Sequence, residues 1–154
     1  MNDKMFASGE YRFEGFDLQG NKVSDQTFHN VLTQLYFTGI MKFLNQAIDS
    51  PNVADLNINY MATGTGTATA LKSDTKLQTE AFRKAPASKT RQDTKFICKL
   101  SLASNESNFT ITEIGTFANG TGTADSGTLI SRANVNIEKN ANISYLVTYT
   151  ITMN

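Results

Sequence analysis

Residues 142–153 read NISYLVTYTITM. Ile143, Tyr145, Val147, Tyr149, Ile151 and Met153 fall on one parity, and Ser144, Thr148, Thr150 and Thr152 on the other. A period of two over this length specifies a strand with one buried face and one wet face, the habit of antiparallel sheets. Shorter stretches repeat the pattern. Leu56, Ile58, Tyr60 and Ala62 alternate in DLNINYMA, and Phe96, Cys98, Leu100 and Leu102 in TKFICKLSLA. In LISRANVNI the face is Leu129, Ala133, Val135 and Ile137, with IEKNANI as the hairpin connection to the last strand. Abundant Thr suits half-exposed strands, and Asn, Ser and Gly suit the turns between them.

Residues from Ser24 onward have a different period. Phe28, Val31, Leu32, Leu35, Tyr36, Ile40, Phe43, Leu44, Ala47 and Ile48 are spaced by threes and fours. This predicts a long amphipathic helix of about 22 residues, or ~33 Å, with Ser24 or Asp25 as cap and Pro51 beyond its end. Gly39 within it predicts close approach of another backbone. Ahead of the helix, YRFEGFDLQGNKV changes phase near Gly15, which is compatible with a hairpin turning at Gln19-Gly20-Asn21 or with an arm packing on a neighbouring subunit. The expected architecture is α+β. An antiparallel β-sandwich or sheet of about five to seven strands carries one long N-terminal helix, with residues 1–23 as arm or hairpin and 24–154 as one domain.

NFTITEIGTFANGTGTADSGTLI poses a problem of polarity. Strict alternation puts Glu113 on the apolar face of Phe109, Ile111, Gly115 and Phe117. A carboxylate there is costly unless paired or hydrogen-bonded. Either a bulge near Gly115 shifts the phase, or Glu113 meets backbone donors or a cation, with Arg83 and Arg132 as candidates. The stretch Asn119, Gly120, Gly122, Asp125 and Gly127 reads as an exposed, mobile loop suited to assembly contacts.

Composition narrows the functional classes. Fourteen basic and fourteen acidic residues cancel, which argues against a nucleic-acid partner, since phosphate neutralisation needs a clustered basic excess. Arg83, Lys84, Lys89, Arg91 and Lys95 are dilute and interrupted by Pro86 and Ser88, and read as a solvated loop. The single cysteine, Cys98, permits no internal disulfide and reads as a buried small hydrophobe. The single histidine, His29, reads as a surface residue. No membrane partner is expected, because no apolar run reaches ~18–20 residues. The start MNDKMFASGE lacks a signal-like core, so synthesis in a cytoplasm is expected. The sequons at Asn105, Asn108, Asn119 and Asn142 then read as polar composition.

Gly64–Lys84, GTGTATALKSDTKLQTEAFRK, invites comparison with a phosphate loop. It has no Gly-Lys pair and no third glycine at dinucleotide spacing, and its neighbours look antiparallel. It reads instead as a strand exit, a loop and a short helical turn, anchored by Leu77 and Phe82. Glu80 and Arg83, three apart, are placed to pair on that turn. No nucleophile–base elbow, metal-ligand cluster or cofactor motif is present, so no catalytic residue, metal or cofactor is expected.

In this order the features resemble phage tail-fibre and baseplate-type virion proteins. The resemblance spans roughly residues 25–153. It rests first on Gly64, Thr65, Gly66, Thr67, Asp74, Thr75, Leu77, Glu80 and Arg83. Further along it rests on Ile111, Glu113, Gly115, Phe117, Gly127, Leu129, Arg132, Ile137 and Lys139. It implies a structural, non-enzymatic component of a tail fibre, baseplate, collar or neck, located in the virion. Its partners would be itself, as a homo-oligomer, and other virion proteins. Members often carry a long receptor-binding region beyond this module, and the end at Asn154 therefore favours a connector, adaptor or short fibre. The alternatives are a carbohydrate- or receptor-binding adhesin module, disfavoured by the absence of Trp, and a two-carboxylate glycan hydrolase.

Overall fold

The alternating run at the C-terminus is the centre of a sheet. A computed structural model describes residues 7–44 and 56–154. Its elements, in order, are β1 (Ala7–Phe16), β2 (Lys22–His29), β3 (Val31–Leu32), α1 (Gln34–Leu44), β4 (Ile58–Gly64), β5 (Glu80–Lys84), β6 (Ser88–Gln92), β7 (Lys95–Leu102), β8 (Thr110–Ala118), β9 (Thr128–Glu138) and β10 (Ser144–Met153). One sheet has the order β2-β1-β10-β7-β6 and the other β3-β9-β8-β4-β5. Every pairing is antiparallel.

The two sheets share one apolar core, which makes the arrangement β-sandwich-like. β10 supplies Tyr145, Val147, Tyr149 and Ile151, its neighbours supply Tyr11, Phe13, Cys98, Leu100 and Leu102, and the facing sheet supplies Met61, Ile111, Ile114, Val135 and Ile137. Tyr11 and Tyr149 stack at 4.7 Å. The Tyr11 hydroxyl spans the sandwich, 2.6 Å from Thr116 Oγ1 and 2.7 Å from Ser131 Oγ. A phenol buried this deeply needs such partners, and burial raises its pKa above the ordinary range for tyrosine.

Two expectations are corrected. The described residues form ten strands rather than five to seven, because the N-terminal residues and two short edge segments also pair. The long helix is a composite. Ser24–His29 belongs to β2, where Phe28 lies opposite Tyr11 and meets Phe13 edge-on at 5.9 Å. Val31 and Leu32 pair with Arg132 and Ser131. Among the described residues of this stretch, Gln34–Leu44 alone is helical. The apolar spacing of 28, 31, 32 and 35 arises from a chain crossing from one sheet to the other, each piece burying its own residue, which mimics a helical face. Ser24 and Asp25 therefore cap nothing. The cap is Thr33, whose Oγ1 accepts from the Tyr36 N–H at 3.4 Å. The expected helical residues 45–48 lie outside the described residues. A Cβ at Gly39 would stand 2.6 Å from Leu56 Cδ2, so the close neighbour there is a side chain rather than the expected backbone.

The first two strands form a hairpin and flank β10, with Gly20 at a φ of 84° in the turn. Residues 88–92, read as a solvated loop, form the fully exposed edge strand β6. His29 ends β2, exposed and opposite Glu10.

Tyr11→Phe should destabilise the protein by about 1–3 kcal/mol, since it removes a hydroxyl that bonds two buried side chains; denaturant unfolding would read this. Cys98 is buried, and desolvation pushes its thiol up to about 12. It should therefore resist iodoacetamide at neutral pH in the native protein and react after unfolding, as intact mass would show.

Candidate functional site

The outer face of the second sheet is covered. Register shifts in its central strands decide which side chains point there. Asn59 is an extra residue between the pairs Ile58↔Ala118 and Tyr60↔Phe117. Ile58 therefore faces the main core, while Tyr60 and Ala62 face outward. β8 and β9 shift between Ile111 and Glu113 and again between Thr116 and Phe117. Ile111, Ile114 and Ala118 stay in the main core, whereas Phe117 and Leu129 join Ala62 and Leu77 in a second, smaller one. Strict alternation is thus corrected in three strands, and Glu113 does not share a face with Ile111. Both readings considered for it hold in part: the phase shifts, at Thr112 rather than Gly115, and the carboxylate is partnered.

Residues 65–79 form a strap across this face. Glu113 is fully buried beneath it. Its Oε1 accepts from the backbone N–H of Gly66 at 3.0 Å and of Thr79 at 2.7 Å. Its Oε2 accepts from the Gln78 N–H and from Arg132 Nε, both at 2.9 Å. Arg132, almost equally buried, also donates to Asp74 Oδ2 at 2.8 Å and to the Ala68 carbonyl at 2.9 Å. Asn134 closes the strap by accepting from the Ala70 N–H at 2.7 Å and donating to the Ala68 carbonyl.

The Gly-Thr repeat now has a physical reason. A Cβ at Gly66 would collide with Glu113 Oε1, and one at Gly64 would strike the Thr79 carbonyl. The glycines let a carboxylate lie against main-chain N–H groups, and Leu77 anchors the strap by filling the space above Gly115. With its acceptor positions occupied, Glu113 is committed to holding structure.

The second predicted pair forms beside the first. Arg83 meets Glu80 through two hydrogen bonds, Nε at 2.5 Å and Nη2 at 2.8 Å, with both side chains almost wholly buried. The segment is strand β5 rather than the expected helical turn, and it pairs with β4. Of the two cations considered for Glu113, only Arg132 reaches it. The Arg83 guanidinium instead lies 4.6 Å from the Phe117 ring centre and 5.5 Å from that of Tyr60.

Arg83 also organises the expected assembly loop. It donates to the Thr121 and Ser126 carbonyls and to Ser126 Oγ, at 2.8–3.1 Å. Glu80 accepts from the Asp125 N–H, and Asn59 holds Gly120 through two hydrogen bonds of 2.8 Å. Asn119, Asp125 and Gly127 take positive φ. Gly122 lies near the Tyr60 hydroxyl. The loop is exposed, but its backbone is tied to the sheet rather than free.

Sequence reasoning missed Asp74 and Asn134 as partners of the strap. Asp74 stands in the matched motif, but only the shift of β9 shows that Asn134 faces it. Among the described residues, no group of three or more His, Cys, Asp or Glu side chains is placed to hold a metal ion, and no helix is long and apolar enough to cross a membrane. No protein-family model, curated protein or solved structure matches the chain.

Glu113→Ala should cost about 3–5 kcal/mol in denaturant unfolding, because it leaves Arg132 and three N–H groups without their acceptor. Glu10→Ala on the exposed sheet face should stay within about 0.5 kcal/mol of the parent.

Proposed function

We propose that the chain is a structural assembly protein, a component of a bacteriophage virion such as a tail fibre, baseplate or neck, that works by self-association and attachment to neighbouring proteins. The observation that carries this reading is helix α1. Seven of its eleven residues are large and apolar, yet none is buried. Tyr36 and Phe37 lean on the main core, while Met41 and Leu44 are 57% and 76% exposed. An apolar helix left uncovered by the described residues marks a protein contact. Nearby, Tyr36, Leu56, Ile58, Phe96, Ile151 and Met153 line an open apolar cavity of about 320 Å³ at the same end of the sandwich.

The motif residues behind the resemblance support a scaffold. Gly64, Gly66, Asp74, Glu113 and Arg132 converge on the strap, and Glu80 and Arg83 on the adjacent loop. They fix a shape through hydrogen bonds to one another and to the strap backbone. Virion parts act through such fixed shapes in symmetric arrays.

Light scattering and native mass spectrometry of the purified chain should show a homo-oligomer. The double change Met41→Glu, Leu44→Glu should shift it to monomer with the melting temperature held, since both side chains are exposed. A wild-type chain that stays monomeric at its highest soluble concentration, and is absent from purified particles, would overturn the proposal.

A further inference from the structure

Asn119-Gly120 is the single Asn-Gly step in the chain. The loop after β8 uses both residues for their backbone. Asn119 takes a φ of 52°, a conformation that asparagine adopts more readily than most side chains. A Cβ at Gly120 would stand 3.1 Å from the Ser126 carbonyl oxygen, and one at Gly127 would stand 2.7 Å from the Gly120 Cα. The turn thereby acquires a chemical liability, because no Cβ shields the Gly120 nitrogen from the carboxamide before it. Once hydroxide takes the Gly120 N–H proton, that nitrogen can add to Asn119 Cγ. The Cγ–Nδ2 bond then breaks, and Nδ2 leaves as ammonia with a proton from water. Water opens the resulting succinimide to aspartate or isoaspartate. Asn119 is exposed, so both reactants reach it.

We propose that Asn59 guards this step against deamidation. Asn59 is the extra residue that the register shift of β4 leaves between the pairs Ile58↔Ala118 and Tyr60↔Phe117. Its Oδ1 accepts from the Gly120 N–H and its Nδ2 donates to the Gly120 carbonyl, both at 2.8 Å. On the other side, the Asn119 N–H donates to the Asn57 carbonyl at 3.1 Å. The nitrogen that would attack is thus held as a donor, its proton directed at an acceptor oxygen rather than open to hydroxide. Ring closure turns the Asn119–Gly120 peptide toward the side chain and pulls Gly120 off Asn59. Losing these two bonds on the way slows closure about tenfold. The bulge in β4 therefore does more than redirect Tyr60 and Ala62, since it lends a carboxamide to the neighbouring loop. That loop is the one Arg83 organises, and isoaspartate would lengthen its main chain by an extra carbon at the point where Asn59 holds it.

The test incubates the full chain at mildly alkaline pH, folded in buffer and unfolded in guanidinium chloride. Peptide mapping follows the gain of about 1 Da at Asn119. The folded wild type should deamidate there far more slowly than the unfolded chain. Asn59→Ala, shown to be folded by circular dichroism, should speed the folded reaction about tenfold. Asn59→Asp keeps an acceptor for the Gly120 N–H, so its rate should lie nearer the wild type than Asn59→Ala. A folded wild type that deamidates as fast as the unfolded chain, or a folded Asn59→Ala at the wild-type rate, overturns the guard. Hydrogen exchange on the wild type reads the same contact without any substitution: the Gly120 amide should be protected, and exchange at the rate of an unstructured glycine overturns the proposal.

Discussion

A carboxylate without access to water, placed on the outer side of a sheet, obliges the chain to bring donors to it. Glu113 meets that demand with one guanidinium and three main-chain N–H groups. Two of the three N–H groups belong to adjacent residues at one end of the strap, and the third lies at the other end. The strap's path is therefore dictated by a side chain beneath it. The glycines follow from this, because the oxygens sit where a Cβ would be. So does the position of Leu77, which is carried over Gly115 and seals the second core. Breaking such a buried pair costs more than forming it gains. Its main effect is to select one course for fifteen residues that have no strand or helix of their own.

The same logic extends sideways. Arg83 lies next to this core on the aromatic rings of Phe117 and Tyr60, and its remaining donors hold the loop between β8 and β9. The sheet is thus buried on both faces along its central strands. Tyr11 ties its inner face to the opposing sheet, the strap and the loop cover its outer face, and three register shifts direct each side chain to the proper side.

How much of this was legible in sequence depended on whether a strand kept its phase. β10 and β7 are uninterrupted, and their buried sets are the ones their alternation specifies. β4, β8 and β9 each contain a shift, and alternation assigned Ile58, Leu129 and Glu113 to the wrong companions. The helix was overextended for a related reason: short strands in two different sheets, separated by single residues, bury side chains at intervals of three and four. The ionic pairs were legible as residues and only partly as pairings. Glu80 and Arg83 are neighbours along the chain, whereas the choice between Arg83 and Arg132 for Glu113 rests on cross-strand register. Asp74 and Asn134 became visible as partners only when the strap was seen to fold back over β9.

The exposed edge of the first sheet has a consequence for molecules held at high density. All five residues of β6 face solvent, and two of them, Lys89 and Arg91, are cationic. Two copies meeting edge to edge in antiparallel fashion would set these charges against their own equivalents, which discourages the open-ended strand addition that leads to fibrils. Growth by sheet extension is thereby made unfavourable at that margin, and crowding need not end in precipitation.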